Sequence, residues 1–136
     1  MDLRECFDKG LIKRTGVNTA LIESLKEMAD IKEKVVKTAK LDAMNISVYV
    51  SLAYDALREV LEAVCVSLGF KVISHTCIGE LLKDKLEDFE FNEFDRMRYI
   101  RNGINYYGAR VELEQGKIII KKIFAMKKGL KDKCLV

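Results

Sequence analysis

Not one of the 136 residues is proline. Proline removes a backbone donor and its ring clashes with the preceding turn, so a chain without it meets none of the obligatory breaks in a helix. Leu, Glu, Lys, Met and Ala, all good helix formers, dominate in its place. Long stretches mixing apolar and charged side chains, with no proline between them, predict an all-α fold: an antiparallel up-down bundle of four to five helices with short connections. The length suits a single domain over 1–136 with a core of its own, and 49% hydrophobic against 33% charged residues places the chain in the globular class.

The period of the apolar residues marks the helices. Residues 3–13 form a short amphipathic segment with Leu3, Phe7 and Leu11 on one face, and a turn at Thr15-Gly16-Val17-Asn18 leads to a helix over about 19–40. Asn18 or Thr19 caps that helix. Leu21, Leu25, Met28, Ile31, Val35 and Ala39 give it one buried stripe, with Ile22 and Ala29 as alternatives. After a break at 41–45, with Asn45 as the next cap, residues 46–68 are apolar on more than one face, and Asp55, Arg58, Glu59 and Glu62 mark the wet side. This is the expected central helix, closed by Gly69 in the left-handed position. Residues 70–74 have some strand propensity but are too few between helices, and are expected to be a loop. A short helix capped by Ser74 or Thr76 runs to about 88. The next, from Asn92 with Asp95 as a weak capping-box partner, runs to Tyr107 and buries Phe94, Met97, Ile100 and Ile104. Gly103 inside it costs about 1 kcal/mol against Ala and points to a close approach by another backbone or a ligand. A last helix spans about 109–128. Seven lysines from Lys117 onward face one acid, Asp132, and residues 127–136 form a basic tail.

Cys6, Cys65, Cys77 and Cys134 lack the close pairing of a zinc site, and Cys65 and Cys77 lie among apolar residues as small buried hydrophobes. Reduced thiols imply a cytoplasmic protein. The acidic, interrupted N-terminus is not that of a signal peptide, and no stretch approaches the roughly 20 apolar residues of a membrane span. No membrane, metal or cofactor is expected: paired carboxylates with a histidine, and glycine-rich phosphate loops, are both missing.

Chemistry concentrates in Arg96-Met-Arg-Tyr-Ile-Arg-Asn-Gly-Ile-Asn-Tyr-Tyr107. Arg98, Arg101, Asn102 and Asn105 recur at three and four residues, so one helical face carries them. A planar guanidinium binds phosphate bidentately, and neighbouring tyrosines offer stacking surfaces for bases. The bland alternative is an internal network in which Arg101 pairs with Asp95, Glu59 or Glu62 and the tyrosines pack at the end of the bundle.

Three stretches resemble the HEPN family, small helical domains named for higher eukaryotes and prokaryotes nucleotide-binding. They are the helix from Tyr49 to Val64, the segment Gly69-Phe-Lys-Val-Ile-Ser-His-Thr-Cys-Ile-Gly-Glu-Leu-Leu82, and Met97-Arg-Tyr-Ile-Arg-Asn-Gly-Ile-Asn-Tyr-Tyr-Gly108. The last is similar to the family's Arg-Asn-x-x-x-His segment. The resemblance covers roughly 18–127. It implies a homodimer in which these segments of two protomers face each other, binding RNA or nucleotide, with a small nucleotidyltransferase as partner in those members that belong to toxin–antitoxin pairs. In active members, metal-independent endoribonucleases, the arginine holds the scissile phosphate and the histidine moves protons. Here Arg101 and Asn102 match, but Tyr106 stands where the histidine belongs. A phenol titrates near 10 against about 6.5 for imidazole, so Tyr106 is a poor general base. The expectation is a binding domain using Arg98, Arg101, Asn102, Asn105 and Tyr106, without catalysis. The alternatives are a ribonuclease in which Arg101 works with Tyr106 or His75, the only histidine, and a pure interaction module. The family pattern gives His75 a structural place at a helix start.

Overall fold

The computed structural model describes residues 1–135. The fold is all-α. Among the described residues lie the helices α1 (Leu3–Asp8), α2 (Thr19–Thr38), α3 (Ile46–Ser67), α4 (His75–Lys85), α5 (Phe91–Tyr107) and α6 (Leu113–Cys134), with two three-residue strands, β1 (Ile12–Arg14) and β2 (Phe70–Val72). None of the helices is long and apolar enough to cross a membrane.

α3 is the axis of the core, as its all-round apolar pattern requires. Tyr54, Leu57, Val60 and Leu61 are fully buried, and burying a large apolar side chain contributes about 1.5–3 kcal/mol. α2 and α6 pack along α3 most extensively, while α5 and α4 cover the remainder. At Gly116 on α6 an added Cβ would run into the Ile46 side chain, so that glycine lets α6 close onto the start of α3. Gly103 is not such a contact point: its nearest neighbour is the Ala109 side chain just beyond its own helix, at ordinary van der Waals distance.

The ends of the elements depart from the sequence expectations in several places. The first segment stops at Asp8, and Gly10 turns the chain at φ 70° into β1. β2 replaces the expected loop because Phe70 and Val72 alternate into the core while Lys71 points out; it pairs antiparallel with β1, Ile12 opposite Val72 and Arg14 opposite Phe70. Asn18 caps α2 by accepting from the Leu21 N–H, but Asn45 does not cap α3; its side chain bonds the Asp42 N–H and the Lys40 carbonyl instead. α5 starts at Phe91, without the Asn92 cap, and Asp95 turns to Arg98. Gly108, at φ 67°, ends α5 and delays α6 to Leu113.

Two corrections bear on the surface. On α2 the stripe that faces the core is Ile22, Leu25, Ala29 and Val36, whereas Leu21, Met28, Ile31 and Val35 are exposed. And α6 continues to Cys134, so 127–134 is helix rather than tail. Lys127 is buried there, 2.8 Å from both Asp30 and Glu33 on α2. Burial works against its charge, but these two carboxylates outweigh it and its pKa rises. Lys131 joins Asp30, Lys128 joins Asp132 and Lys133 joins Asp88, so most of the basic run is matched by acids.

The cysteines also differ from expectation. Cys65 is free and buried, with its thiol pushed up to about 12 by burial, in keeping with an inert hydrophobe. Cys6 and Cys77 instead form a disulfide that ties α1 to α4 across 71 residues. The premise of four reduced thiols, on which a cytoplasmic location rested, therefore loses two of them. Two cysteines so distant in sequence come together only because the β1–β2 pair lays α1 against α4.

Candidate functional site

α5 buries Phe94 and Met97 and half-buries Ile100 and Ile104, which turns its polar face along the edge of α3. The matching stripe of α3 is Ser51, Asp55, Arg58 and Glu62, spaced at three and four residues. Gly108 then takes the left-handed cap, its N–H and that of Ala109 both closing on the Gly103 carbonyl. This leaves the last turn of α5, with Asn105, Tyr106 and Tyr107, exposed.

Arg101 is the centre of the cluster. Its Nη2 donates to Asp55 Oδ1 at 3.4 Å, and its Nη1 donates to Tyr106 Oη at 3.4 Å and to Asn102 Oδ1 at 3.5 Å. All three contacts are long for hydrogen bonds. The guanidinium also lies 5.6 Å from the centroid of the Tyr54 ring and 5.8 Å from that of Tyr106, within cation–π range of both. The side chain is only 13% exposed. Its Nε is buried without a partner, as is that of Arg58. The other arginines are held more firmly: Arg98 gives Nε and Nη2 to Asp95 at 3.0 and 2.9 Å, and Arg58 meets Glu62 at 2.6 Å. Asn105 accepts from the Ser51 hydroxyl at 2.8 Å.

His75 opens α4 and enters the same cluster through Tyr54, whose hydroxyl is 3.5 Å from His75 Nδ1. Burial first, and then the positive charges of Arg58, Arg101 and Arg98, pull His75 down to about 4 despite the opposing Asp55. The imidazole is therefore neutral at pH 7 and a weak proton acceptor. Burial pushes the Tyr54 phenol well above its usual range, so it remains a hydroxyl donor.

Of the residues predicted from sequence, Arg101, Asn102 and Tyr106 come together. Asn105 is engaged with α3, and Arg98 turns back onto its own helix. The carboxylate paired with Arg101 is Asp55, not Asp95, Glu59 or Glu62, and the supposedly wet face of α3 is partly interior: Glu59 is buried and ion-paired with Lys32 at 2.5 Å. Tyr54, Asp55 and Arg58 are the site residues that sequence reasoning missed. The repeat of polar residues at positions 51, 55, 58 and 62 on an otherwise apolar helix was the available signal.

A depression of about 470 Å³ is lined by Tyr99, Asn102, Gly103, Tyr106, Tyr107 and Ala109; Arg101 itself is not in its wall but contacts Asn102 and Tyr106, which are. Another of about 340 Å³ lies between α5 and α6, next to Arg96, Arg110 and Lys122, and includes neither Arg101 nor Asn102. Among the described residues no three His, Cys, Asp or Glu side chains converge as metal ligands. The cluster has the chemistry to receive an anion next to aromatic faces, while His75 and Tyr54 are both driven away from neutral pH, in opposite directions. No protein-family model matches the chain, and no curated protein matches it either.

Proposed function

We propose that this chain is a HEPN-like helical domain that binds RNA or a nucleotide, as a dimer, at Arg101, Asn102 and Tyr106, and does not cleave it. Arg98 and Asn105 frame the site by holding α5 in register with its own turn and with α3. The observation that carries this proposal is the state of Arg101. Its Nε has no partner and its remaining contacts are long, and two of the side chains it contacts, Asn102 and Tyr106, line a tyrosine-rich depression. A phosphate accepting two short charge-assisted bonds competes well against one carboxylate contact at 3.4 Å. The exposed Tyr106 and Tyr107 rings supply stacking surface for bases. Absence of cleavage follows from Tyr106 at the histidine position and from the weak basicity of His75.

Binding is tested by titrating a fluorescent single-stranded RNA, and separately ATP, into the protein at several salt concentrations. Arg101→Ala is expected to weaken binding at least tenfold and to lower the salt slope by about 0.7, because one phosphate fewer is neutralised. Wild-type affinity and slope in Arg101→Ala would remove the proposal. RNA cleavage in EDTA that Tyr106→Phe abolishes would show a ribonuclease instead.

A second interpretation has its own support. Arg101 is mostly buried and paired with Asp55, and Arg58 and Arg98 each have a carboxylate as well. A charge-matched network of this kind suits an interaction module, such as the partner of a nucleotidyltransferase. In that case Arg101→Ala lowers stability and leaves RNA and nucleotide binding undetectable in both proteins.

A further inference from the structure

α5 and α6 both pack on α3 but hardly on each other, and a groove runs between them. The connection that joins them is pinned to α3, because the Val111 N–H donates to Ser47 Oγ at 3.0 Å. The depression of about 340 Å³ lies at that end of the groove, within the range of small-molecule sites. Its floor is apolar: Met97 is buried, Ile100, Val111 and Ile119 are half-buried, and Ile118 is 52% exposed. Past Lys122 the groove continues over Ala125 and Met126, then over Gly129 and Leu130 opposite Phe89 and Leu86. Each part shares wall residues with the next, Glu93 and Lys122 first, then Ala125 and Met126. From Ile118 to Leu130 the path is about 18 Å long, at 1.5 Å per helical residue. An added Cβ at Gly129 would meet nothing within 4 Å, so the far end is open.

Charge selects the occupant and its direction. Arg96, Arg110 and Lys122 stand in the wall of the first depression, together with Glu93 and Glu112. None of the five is in an ion pair among the described residues, whereas Lys117, Lys127, Lys128, Lys131 and Lys133 on α6 each have an acid. Three cations against two acids leave this lining with one net positive charge. In the next part of the groove Glu90 and Glu93 face Lys122 alone, and the balance turns negative. An anionic head is therefore drawn to the Arg96 and Arg110 end and repelled from the other, while the apolar floor accepts a tail along α6. We propose that this groove binds a free monoanionic amphiphile, a carboxylate on a long unbranched apolar tail. The guanidinium groups of Arg96 and Arg110 offer a carboxylate paired donors. One negative charge neutralises the lining, and a more highly charged anion would then meet Glu93 and Glu112. Arg101 and Asn102 lie outside this depression, so the inference goes beyond the proposed RNA or nucleotide site and stands without it.

Calorimetric titration of the full chain with sodium dodecanoate, kept below its micellar concentration, tests it. Wild type is expected to bind dodecanoate, and to bind octanoate about tenfold or more weakly, because four fewer methylenes are buried. Dodecyltrimethylammonium, with the same tail and the opposite charge, is expected not to compete. Arg110→Glu and Ile118→Asp, both at exposed positions where circular dichroism should find the chain folded, are each expected to weaken dodecanoate binding about tenfold. Lys34→Glu makes the same charge change on the exposed side of α2 and is expected to alter it less than about twofold, since salt screens a distant surface charge. The proposal is overturned by a wild type that ignores dodecanoate, by equal binding of the cationic amphiphile, or by affinity indifferent to Arg110→Glu and Ile118→Asp. It is also overturned if Lys34→Glu weakens binding as much as Arg110→Glu, which would leave only a response to net charge. Flotation with phosphatidylglycerol vesicles separates a free ligand from a membrane surface, and a chain that floats with vesicles yet ignores monomeric dodecanoate refutes the free amphiphile.

Discussion

As the only histidine, His75 gives the interior of the site a private reporter. Its ring is half-buried at the start of α4, and three guanidinium groups add to the effect of burial. Its imidazolium is expected to titrate at about 4 in the folded protein instead of 6.5. Because the folded value is depressed, the unfolded chain binds more protons between those two values, and stability rises with pH across that window. The contribution is complete above 6.5 and lost as the pH falls to about 4; at about 1.4 kcal/mol per pH unit the full shift would be worth about 3 kcal/mol, and solvent screening of the half-buried ring lowers the expected share to about 1.5 kcal/mol. Carboxylates with lowered pKa, such as Asp30 and Glu33, lose stability on acidification too, so the His75 part must be read as a difference. Urea unfolding of wild type and His75→Gln between pH 7 and 4.5 isolates it, with the wild type expected to lose about 1 kcal/mol more than the variant. Carbon-edited NMR of the single imidazole reads the midpoint directly. Arg101→Gln, which removes one of the positive charges, is expected to raise that midpoint, and so is saturating inorganic phosphate if Arg101 receives it. A wild-type midpoint within about half a pH unit of 6.5 would refute the described environment of His75, and with it the clustering of the arginines around Tyr54.

The buried ion pairs of α6 make a second set of expectations. Lys127→Ala leaves Asp30 and Glu33 without their shared cation and should cost about 2 kcal/mol by urea unfolding at pH 7, below the usual 3–5 for a buried pair because Asp30 stays half exposed and Lys131 and Lys37 remain. Lys127→Met, which keeps the aliphatic packing, should cost less than the alanine variant. Joining residues 71 apart, the Cys6–Cys77 disulfide is expected to stabilise by about 4 kcal/mol through the restricted unfolded chain, so Cys6→Ser/Cys77→Ser should unfold at distinctly lower urea while keeping the helical spectrum. An indifferent double variant, or wild type that reacts with a thiol reagent at Cys6 and Cys77 without reductant, would refute the cross-link.

What could be read in the sequence follows from whether the deciding force is local. The helix of residues 46–67 was legible because a run apolar on several faces has no other use than burial, and Asn18, Gly69 and Gly108 act within one turn of the backbone they serve. β1–β2 and Cys6–Cys77 were not, since each needs two segments about 60–70 residues apart and neither segment is distinctive alone. α2 failed for a different reason. Two apolar stripes about a quarter-turn apart fit the same helical period, and only the position of α3 decides which is interior. The lysines of α6 likewise looked like a solvated tail because their acids lie on α2, on the α4–α5 connection or one turn along.

The Arg-Asn stretch stood out in the sequence by its order and spacing, but its electrostatics depend on α3. Arg58, Arg98 and Arg101 each have one carboxylate, so the cluster is close to neutral as a whole and has no general attraction for polyanions. If the cluster binds an anion as proposed, selectivity comes from exchange at one member. Arg58 and Arg98 are bound at 2.6 and 2.9 Å to acids on their own helices, where local geometry restores the pair whenever it opens. Arg101 alone reaches between helices, at 3.4 Å, to an acid that is itself one-quarter exposed. On the proposed reading, a phosphate would compete with this single long Asp55 contact for a guanidinium already held between two aromatic rings. On the proposed reading, the cluster's near neutrality favours one anion at one arginine over a broad basic surface. The modest net charge of +3 is consistent with that arrangement.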